Sequence, residues 1–363
     1  MMPRSRDDAD GVKVGVDEMH RRKKKGRRKA LCEVVMAVVA LLGATQLKAE
    51  TAFENIPVVV RPGHQGLPAI WGNYIVWKYA ENEAYDISQG KIVEMPGLII
   101  TGVPDIWANK VVWSDANGYY DMDLQQMVYP EGLSIGGAPA IHANKIVWRN
   151  STGYYDLESG EMVYPPGLSV GKDPDIFEDI IVWSNANGYY DIGLQGMVYP
   201  PGLYMNLSPS IYGDKVISAF GPGGYYDLSL GRFVRFGWVI DGEPDMFEDR
   251  IAWNNYDGAP PITIDIYVWD PVCNRRKVTE SGCAGHPRVY GDIVVWGDTR
   301  NGDADVYMAR MVGCCGDPEH AYPVGDLNHD CRVNILDVAI LASHWLECTA
   351  PECDSEEQAP PGR

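Results

Sequence analysis

Oxygen-bearing side chains recur at short intervals near the C-terminal end of the chain. They occupy positions 1, 3, 5, 9 and 12 of one twelve-residue stretch, and the backbone carbonyl of position 7 completes a set of six: Asp326, Asn328, Asp330, Arg332, Asn334 and Asp337. Hard oxygen ligands at this spacing suit Ca²⁺, which takes six to eight of them. The stretch therefore predicts a calcium-binding loop, and a turn and helix without metal is the alternative.

A helix is expected to follow this loop, with one apolar face formed by Val338, Leu341, Ala342 and Trp345. The loop departs from the EF-hand pattern at two places. Position 6 is Cys331 where glycine is usual, and position 12 is Asp337 where glutamate is usual. An aspartate at position 12 followed by an apolar helix resembles the type I dockerin repeat.

That resemblance covers about residues 325–347. Dockerins use two such loop-helix units to dock onto cohesin modules of extracellular polysaccharide-degrading assemblies, and this chain offers one good loop. The resemblance therefore implies Ca²⁺ binding, and it names a cohesin-like protein or a polysaccharide as the candidate partner.

A second set of ionisable residues lies far upstream, at Asp105, Asp175 and Asp245, with Arg288 at the equivalent position of a later repeat. If these segments are the innermost strands of radial sheets, side chains of this parity line a central channel. There they could bind a cation or a polar ligand, whereas the alternative is that each aspartate caps a turn. No histidine accompanies them, which argues against a transition-metal site.

The elements that would position these residues repeat along the chain. Each unit starts with Pro-x-Ile or a close variant and reaches a tryptophan seven residues after the Ile, and these anchors are Trp77, Trp113, Trp148, Trp183, Ser218 in place of a tryptophan, Trp253 and Trp296. Short β-branched and aromatic runs between turn residues indicate antiparallel strands, about four per unit. A period near 35 residues with four strands predicts an all-β, seven-bladed β-propeller, with six blades as the alternative.

Three further expectations follow from the repeat. Ile56–Val60 should supply the missing strand of the last blade and so close the ring. The repeated tryptophans and Tyr-Tyr-Asp motifs should pack between blades rather than bind sugars, because they recur in blade after blade. The Asn-Gly pairs at 117–118, 187–188 and 301–302 predict hairpin turns of the primed types.

The last two repeats carry a longer hairpin, and IVVWGDTRNGDADVY at 293–307 resembles the WD40-like repeat of TolB-type propellers. The resemblance covers roughly residues 55–311 and implies a propeller architecture. It implies no particular activity, because such propellers mostly bind partners. Cys273 and Cys283 flank a turn in this region, and in an exported protein they form a candidate disulfide.

The N-terminal segment predicts a secretory signal peptide over residues 1–49, with a basic run at 21–29, an apolar run at 30–43 and Ala49 before the cut. A nuclear-type basic patch and a retained membrane anchor are the alternatives. The segment holds 12 of the 31 Lys and Arg and 6 of the 50 Asp and Glu, so its removal leaves 19 basic and 44 acidic residues and a net charge of −25. Such acidity excludes nucleic acid as a partner, and no stable membrane span remains after cleavage.

The predicted organisation is thus a signal peptide (1–49), a propeller (50–312), a Cys/Pro/Gly linker (313–324), a dockerin-like loop and helix (325–353) and a disordered tail (354–363). The first functional hypothesis is a secreted or cell-surface binding scaffold whose calcium module serves attachment in polysaccharide processing. The second is a glycoside hydrolase or polysaccharide lyase with the propeller as its catalytic domain. Glycosidases need two carboxylates flanking the bond, and no catalytic pair emerges from the repeats.

Overall fold

The computed structural model describes residues 53–258, 262–271 and 273–311, together with a few positions further on: Gly325, Leu327, Val333, Asp337, Val338, Ile340 and Leu341. The chain divides into two compact units. One unit is Ala52–Cys314, and the other combines Met1–Thr51 with Cys315–Arg363. In the second unit Asp337, Val338, Ile340 and Leu341 are helical, where the sequence predicts a helix.

The first unit contains 28 strands in seven four-stranded antiparallel sheets, the blades. Blade 1 consists of β2 (Gly66–Trp71), β3 (Tyr74–Lys78), β4 (Glu81–Asp86) and β5 (Lys91–Ile99). Blade 2 consists of β6 (Pro104–Trp107), β7 (Lys110–Trp113), β8 (Tyr119–Asp121) and β9 (Gln126–Val128). Blade 3 consists of β10 (Pro139–His142), β11 (Lys145–Trp148), β12 (Tyr154–Asp156) and β13 (Glu161–Val163). Blades 4 and 5 consist of β14 (Asp175–Phe177), β15 (Ile180–Val182), β16 (Tyr189–Asp191), β17 (Gly196–Val198); β18 (Leu207–Tyr212), β19 (Lys215–Ala219), β20 (Gly221–Asp227) and β21 (Arg232–Ile240). Blades 6 and 7 consist of β22 (Pro244–Phe247), β23 (Arg250–Asp257), β24 (Thr263–Asp270), β25 (Asn274–Lys277); β26 (Ala284–Tyr290), β27 (Ile293–Asp298), β28 (Asp305–Arg310) and β1 (Ile56–Val59).

The first strands of the blades surround a common axis. Each packs beside the first strand of the next blade, and β2 contacts both β6 and β26, so the ring is closed. The closing blade joins the two ends of the unit, because β1 pairs with β28 in antiparallel register, with Ile56 opposite Met308 and Val59 opposite Val306. The predicted seven blades and their shared closing blade are confirmed, and the six-bladed alternative is wrong.

The hydrophobic core lies between blades, since no single blade can bury both faces of its sheet. The apolar residue of each Pro-x-Ile start is buried, as predicted: Ile70, Ile106, Ile141, Ile176, Ile211, Met246 and Val289. Most of the repeated tryptophans and the second tyrosine of every Tyr-Tyr-Asp motif are buried as well. Their role in packing is therefore confirmed.

A second tie joins neighbouring blades through these tyrosines. The hydroxyls of Tyr120 and Tyr190 donate to the carbonyl oxygens of Pro96 and Pro166 in the preceding blade, each at 3.1 Å. Tyr155 occupies the equivalent place, yet its buried hydroxyl has no hydrogen-bond partner among the described residues. The blades are thus linked at the same register by contacts that differ in quality.

The primed-turn prediction for the Asn-Gly pairs is wrong. Types I′ and II′ need a positive φ at the first central residue. Neither Asn117 nor Gly118 has a positive φ, and the left-handed residue lies earlier in that connection, at Asp115 with φ 65°. A Cβ at Gly118 would lie 2.1 Å from the carbonyl oxygen of Val128. The glycine is required by this close approach rather than by a turn.

Candidate functional site in the central channel

The predicted channel residues do share one position on the seven first strands. Ala69, Ala140 and Ser210 are buried there, whereas the three aspartates and Arg288 are partly exposed. This pattern fits ionisable side chains that face a narrow axial space while protein surrounds them on every side. The four predicted residues are therefore placed on one inner ring, as the strand parity required.

The aspartates reach across to the next blade. One carboxylate oxygen of Asp105 accepts from the backbone N–H of Ile141 at 2.8 Å, and Asp175 accepts from Ile211 at the same distance. Asp245 accepts from the N–H of Val289 at 2.7 Å. Each donor is the apolar residue that follows the equivalent ring position, so the three carboxylates act as latches between successive first strands.

Ser210 links the first strands of blades 5 and 6 in the same way. The buried hydroxyl oxygen of Ser210 accepts from the backbone N–H of Met246 at 3.2 Å and donates to Asp245 at 3.5 Å. Ser210 was passed over in the sequence as an uncharged member of the ring. Its register, one residue before Ile211 in a Pro-x-Ile start, was the available signal.

Burial dominates the electrostatics of this ring. It raises the pKa of Asp105 to about 6 and that of Asp175 to about 7, because the charged carboxylate is poorly solvated there. The other two aspartates add repulsion at Asp175, and burial also raises the pKa of Asp245. Burial alone would lower the pKa of Arg288, but the surrounding carboxylates outweigh it and raise that pKa.

The orientation of the inner-ring carboxylates is set by the fold. Over residues 53–311, apart from the gaps stated above, and the few described C-terminal positions, no three His, Cys, Asp or Glu side chains are grouped so that they could hold a metal ion. The two functions of a glycosidase require one carboxyl to donate a proton and another to attack or activate water. Here each carboxylate already accepts a backbone N–H, so its orientation is set by the fold.

A feature missed in the sequence lies on the same strands, two residues further along. The last residue of each first strand carries an aromatic or imidazole ring: Trp71, Trp107, His142, Phe177, Tyr212, Phe247 and Tyr290. Neighbouring ring centroids are 4.4–5.3 Å apart around the complete circle. The seven side chains form one closed aromatic ring around the axis.

This aromatic ring lies at the end of the channel where the first strands finish. The ring centroids of Trp71 and Phe247, which flank Tyr290, are also only 6.3 Å apart, so the circle is not regular.

His142 is the one imidazole of the aromatic ring. Burial lowers the pKa of His142 to about 4, and its Nδ1 accepts from the backbone N–H of Glu178 at 3.0 Å.

The calcium loop is described only in part. Asp326, Asn328, Asp330, Arg332 and Asn334 lie outside the described residues. Asp337 is described, is buried, and accepts from the backbone N–H of Leu327 at 2.7 Å. The calcium site itself stays a prediction, since five of its six residues lie outside the described part of the chain.

The predicted disulfide between Cys273 and Cys283 is wrong. Cys283 has a free thiol, whose sulfur lies 3.4 Å from a carboxylate oxygen of Asp298. Cys273 is disulfide-bonded, and its partner lies outside the described residues. The physical reason is local: Cys283 forms a parallel bridge beside Ile264 and hydrogen-bonds within its own turn and with blade 7.

Comparison with known proteins supports the architecture. No family profile and no curated protein matches this sequence. Among solved structures, an oligogalacturonate lyase from Vibrio parahaemolyticus superposes with a TM-score of 0.53 at 11% identity, over 72% of this chain and 94% of that one. BamB from Moraxella catarrhalis gives a TM-score of 0.41 at 14% identity, over 67% and 84%. Likeness at such identity shows the propeller fold alone.

No helix long and apolar enough to cross a bilayer occurs in the described part of the chain.

Proposed function

We propose that this protein is a secreted β-propeller that binds a partner, and that a calcium-binding dockerin-like loop and helix at its C-terminal end serves attachment or assembly. The support for export is the basic run, the apolar run and Ala49 in the first 49 residues. The partner is a polysaccharide or a cohesin-like protein, consistent with a strongly acidic chain that repels nucleic acid.

One observation favours binding over catalysis. The channel carboxylates are the groups that a glycoside hydrolase or lyase with this propeller would use, and all three are engaged by backbone N–H groups of the following blade. A reacting carboxyl must change its protonation or form a bond during turnover. The carboxyl oxygen that holds the neighbouring strand would have to release its backbone N–H before it could bond to a substrate.

The enzyme alternative is tested by turnover. The full chain is incubated with pectic, xylan and glucan substrates, beside a variant with Asp105, Asp175 and Asp245 replaced by Asn. We expect no substrate whose cleavage depends on these three residues. Turnover by the natural protein that the triple variant loses would reverse the ranking of the two functions.

The calcium module is tested on the full chain by calorimetric titration with CaCl₂. Asp326, Asn328, Asp330, Asn334 and Asp337 would supply side-chain oxygens, and Arg332 its carbonyl. We expect one bound ion, lost in an Asp326→Asn/Asp330→Asn variant and retained in the Asp115→Asn control. Absence of binding heat in the natural chain would refute the metal site and leave the propeller assignment intact.

A further inference from the structure

Three tyrosines lie fully in reach of solvent at equivalent places in adjacent blades. Tyr129, Tyr164 and Tyr199 directly follow the outer strands β9, β13 and β17, and their exposed fractions are 69%, 67% and 61%. Large apolar faces this exposed are normally single and scattered on a monomer. Here they form a row along one arc of the propeller, which we call the tyrosine row.

Each tyrosine of the row is backed by the glycine that directly precedes the neighbouring strand, β8, β12 or β16. A Cβ added at Gly118, Gly153 or Gly188 would lie 3.2, 3.0 or 2.9 Å from the Cδ1 atom of the facing tyrosine. The aromatic ring therefore rests against the glycine, with its remaining surface open to solvent. Because glycine has no side chain, the tyrosine ring can approach its backbone this closely.

The segment after each tyrosine is held rigidly. It runs Pro-x-Gly-Leu, with the glycine in the left-handed region at φ 81°, 79° or 84° and the leucine buried: Leu133, Leu168 and Leu203. The leucine N–H returns to the proline carbonyl in all three turns. The tyrosines are thus pre-organised, and rigid aromatic groups bind with little loss of conformational entropy.

If the tyrosines served only to cover the sheet, a tyrosine would be expected at this position in all seven blades, and it is present in three. In the other four blades the equivalent register holds Glu94, Arg235, Lys277 and Pro57. The tyrosine row is therefore confined to blades 2 to 4. Beside its three glycines the chain exposes uncharged polar side chains, namely Asn117, Thr152 and Asn187.

We infer that the tyrosine row is a binding surface for a neutral polysaccharide, an inference that rests on the proposed binding function. Identical platforms at a fixed interval fit a polymer of repeating units. Aromatic faces pack on the apolar faces of sugar rings, and the neighbouring amide and hydroxyl groups can hydrogen-bond to sugar hydroxyls. The net charge is −25 without the predicted signal peptide, and it repels polyanions, which favours an uncharged polymer.

Affinity electrophoresis of the full chain tests the inference, with xylan, mannan and mixed-linkage β-glucan in the gel and polygalacturonate as the anionic comparison. We expect retardation by a neutral polymer and none by polygalacturonate. Tyr164→Leu keeps an apolar group over Gly153 but lacks the flat face, and should weaken binding about tenfold, as removal of an aromatic anchor does. The control is Tyr79→Leu/Tyr256→Leu, two exposed tyrosines outside the row, which should bind as the natural chain does.

Nitration of tyrosines in the natural chain provides a readout that needs no variant. The polysaccharide that retards the protein should protect Tyr129, Tyr164 and Tyr199 and leave Tyr79 and Tyr256 equally reactive. Retardation without this protection would overturn the tyrosine row while the proposed binding function stands. Failure of every neutral polymer, or protection by a protein partner alone, would also overturn it, and the calcium titration would still judge the attachment module separately.

Discussion

Replacement of Asp175 by Asn should change how the stability of the propeller depends on pH. The pKa of Asp175 is raised to about 7 by burial and by its acidic neighbours, against an ordinary value of 3.8. The folded protein therefore holds this proton more tightly than the unfolded chain does. Its stabilising effect is complete below pH 4 and is lost as the pH rises to 7.

The magnitude follows from the size of this shift. Each pH unit between the two pKa values corresponds to about 1.4 kcal/mol, so the natural protein should lose about 4 kcal/mol of unfolding free energy through this one group between pH 4 and pH 8. The variant lacks that dependence. It carries instead a constant cost of about 1–3 kcal/mol, because its amide N–H₂ faces one of two backbone donors, Ile176 or Ile211.

Urea unfolding followed by tryptophan fluorescence at several pH values between 4 and 8.5 measures the difference. Contributions from groups that do not interact with Asp175 cancel when the variant is subtracted from the natural protein, and what is left is Asp175 with its coupling to Asp105 and Asp245. We expect the variant to be less stable at pH 4 and to gain about 4 kcal/mol relative to the natural protein by pH 8, with the exposed Asp115→Asn measured beside it as a variant outside the channel. A gap that stays constant over this range would refute the buried, latch-bound carboxylate.

The remaining predictions concern the ties between blades. Tyr190→Phe should cost about 1 kcal/mol because its hydroxyl bonds to Pro166, whereas Tyr155→Phe should be neutral or stabilising, and thermal unfolding of the pair compares them. Ser210→Ala leaves the N–H of Met246 without its acceptor and should cost about 1–3 kcal/mol in the same assay. Val59→Asp places a charge in the buried closing strand β1 and should cost about 4 kcal/mol, with enhanced proteolysis at the opened ring.

The architecture could be predicted because the sequence repeat determines it. A period near 35 residues, a buried residue such as Ile106 at one parity and a tryptophan such as Trp113 seven residues later imply strands that only neighbouring blades can cover. The same parity placed Asp105 in the channel. The role of Asp105 was out of reach, because its partner is a backbone N–H 36 residues away whose approach depends on the spacing of the blades.

The aromatic ring was overlooked for a different reason. An aromatic residue that follows an apolar one, such as Trp107 after Ile106, is ordinary in any strand. A closed circle exists only when seven such positions are set around one axis. The Asn-Gly prediction failed at Gly118 because this glycine makes room for the carbonyl oxygen of Val128, and a local turn pattern carries no information about a strand ten residues later.

We propose that this propeller holds a polymer without cutting it. Size-exclusion chromatography of the neutral polysaccharide that retards the protein, before and after prolonged incubation with the full chain, tests this most directly. We predict an unchanged polymer length. A shortened polymer with the natural protein, and an unchanged one with the triple Asp→Asn variant at 105, 175 and 245, would contradict the claim.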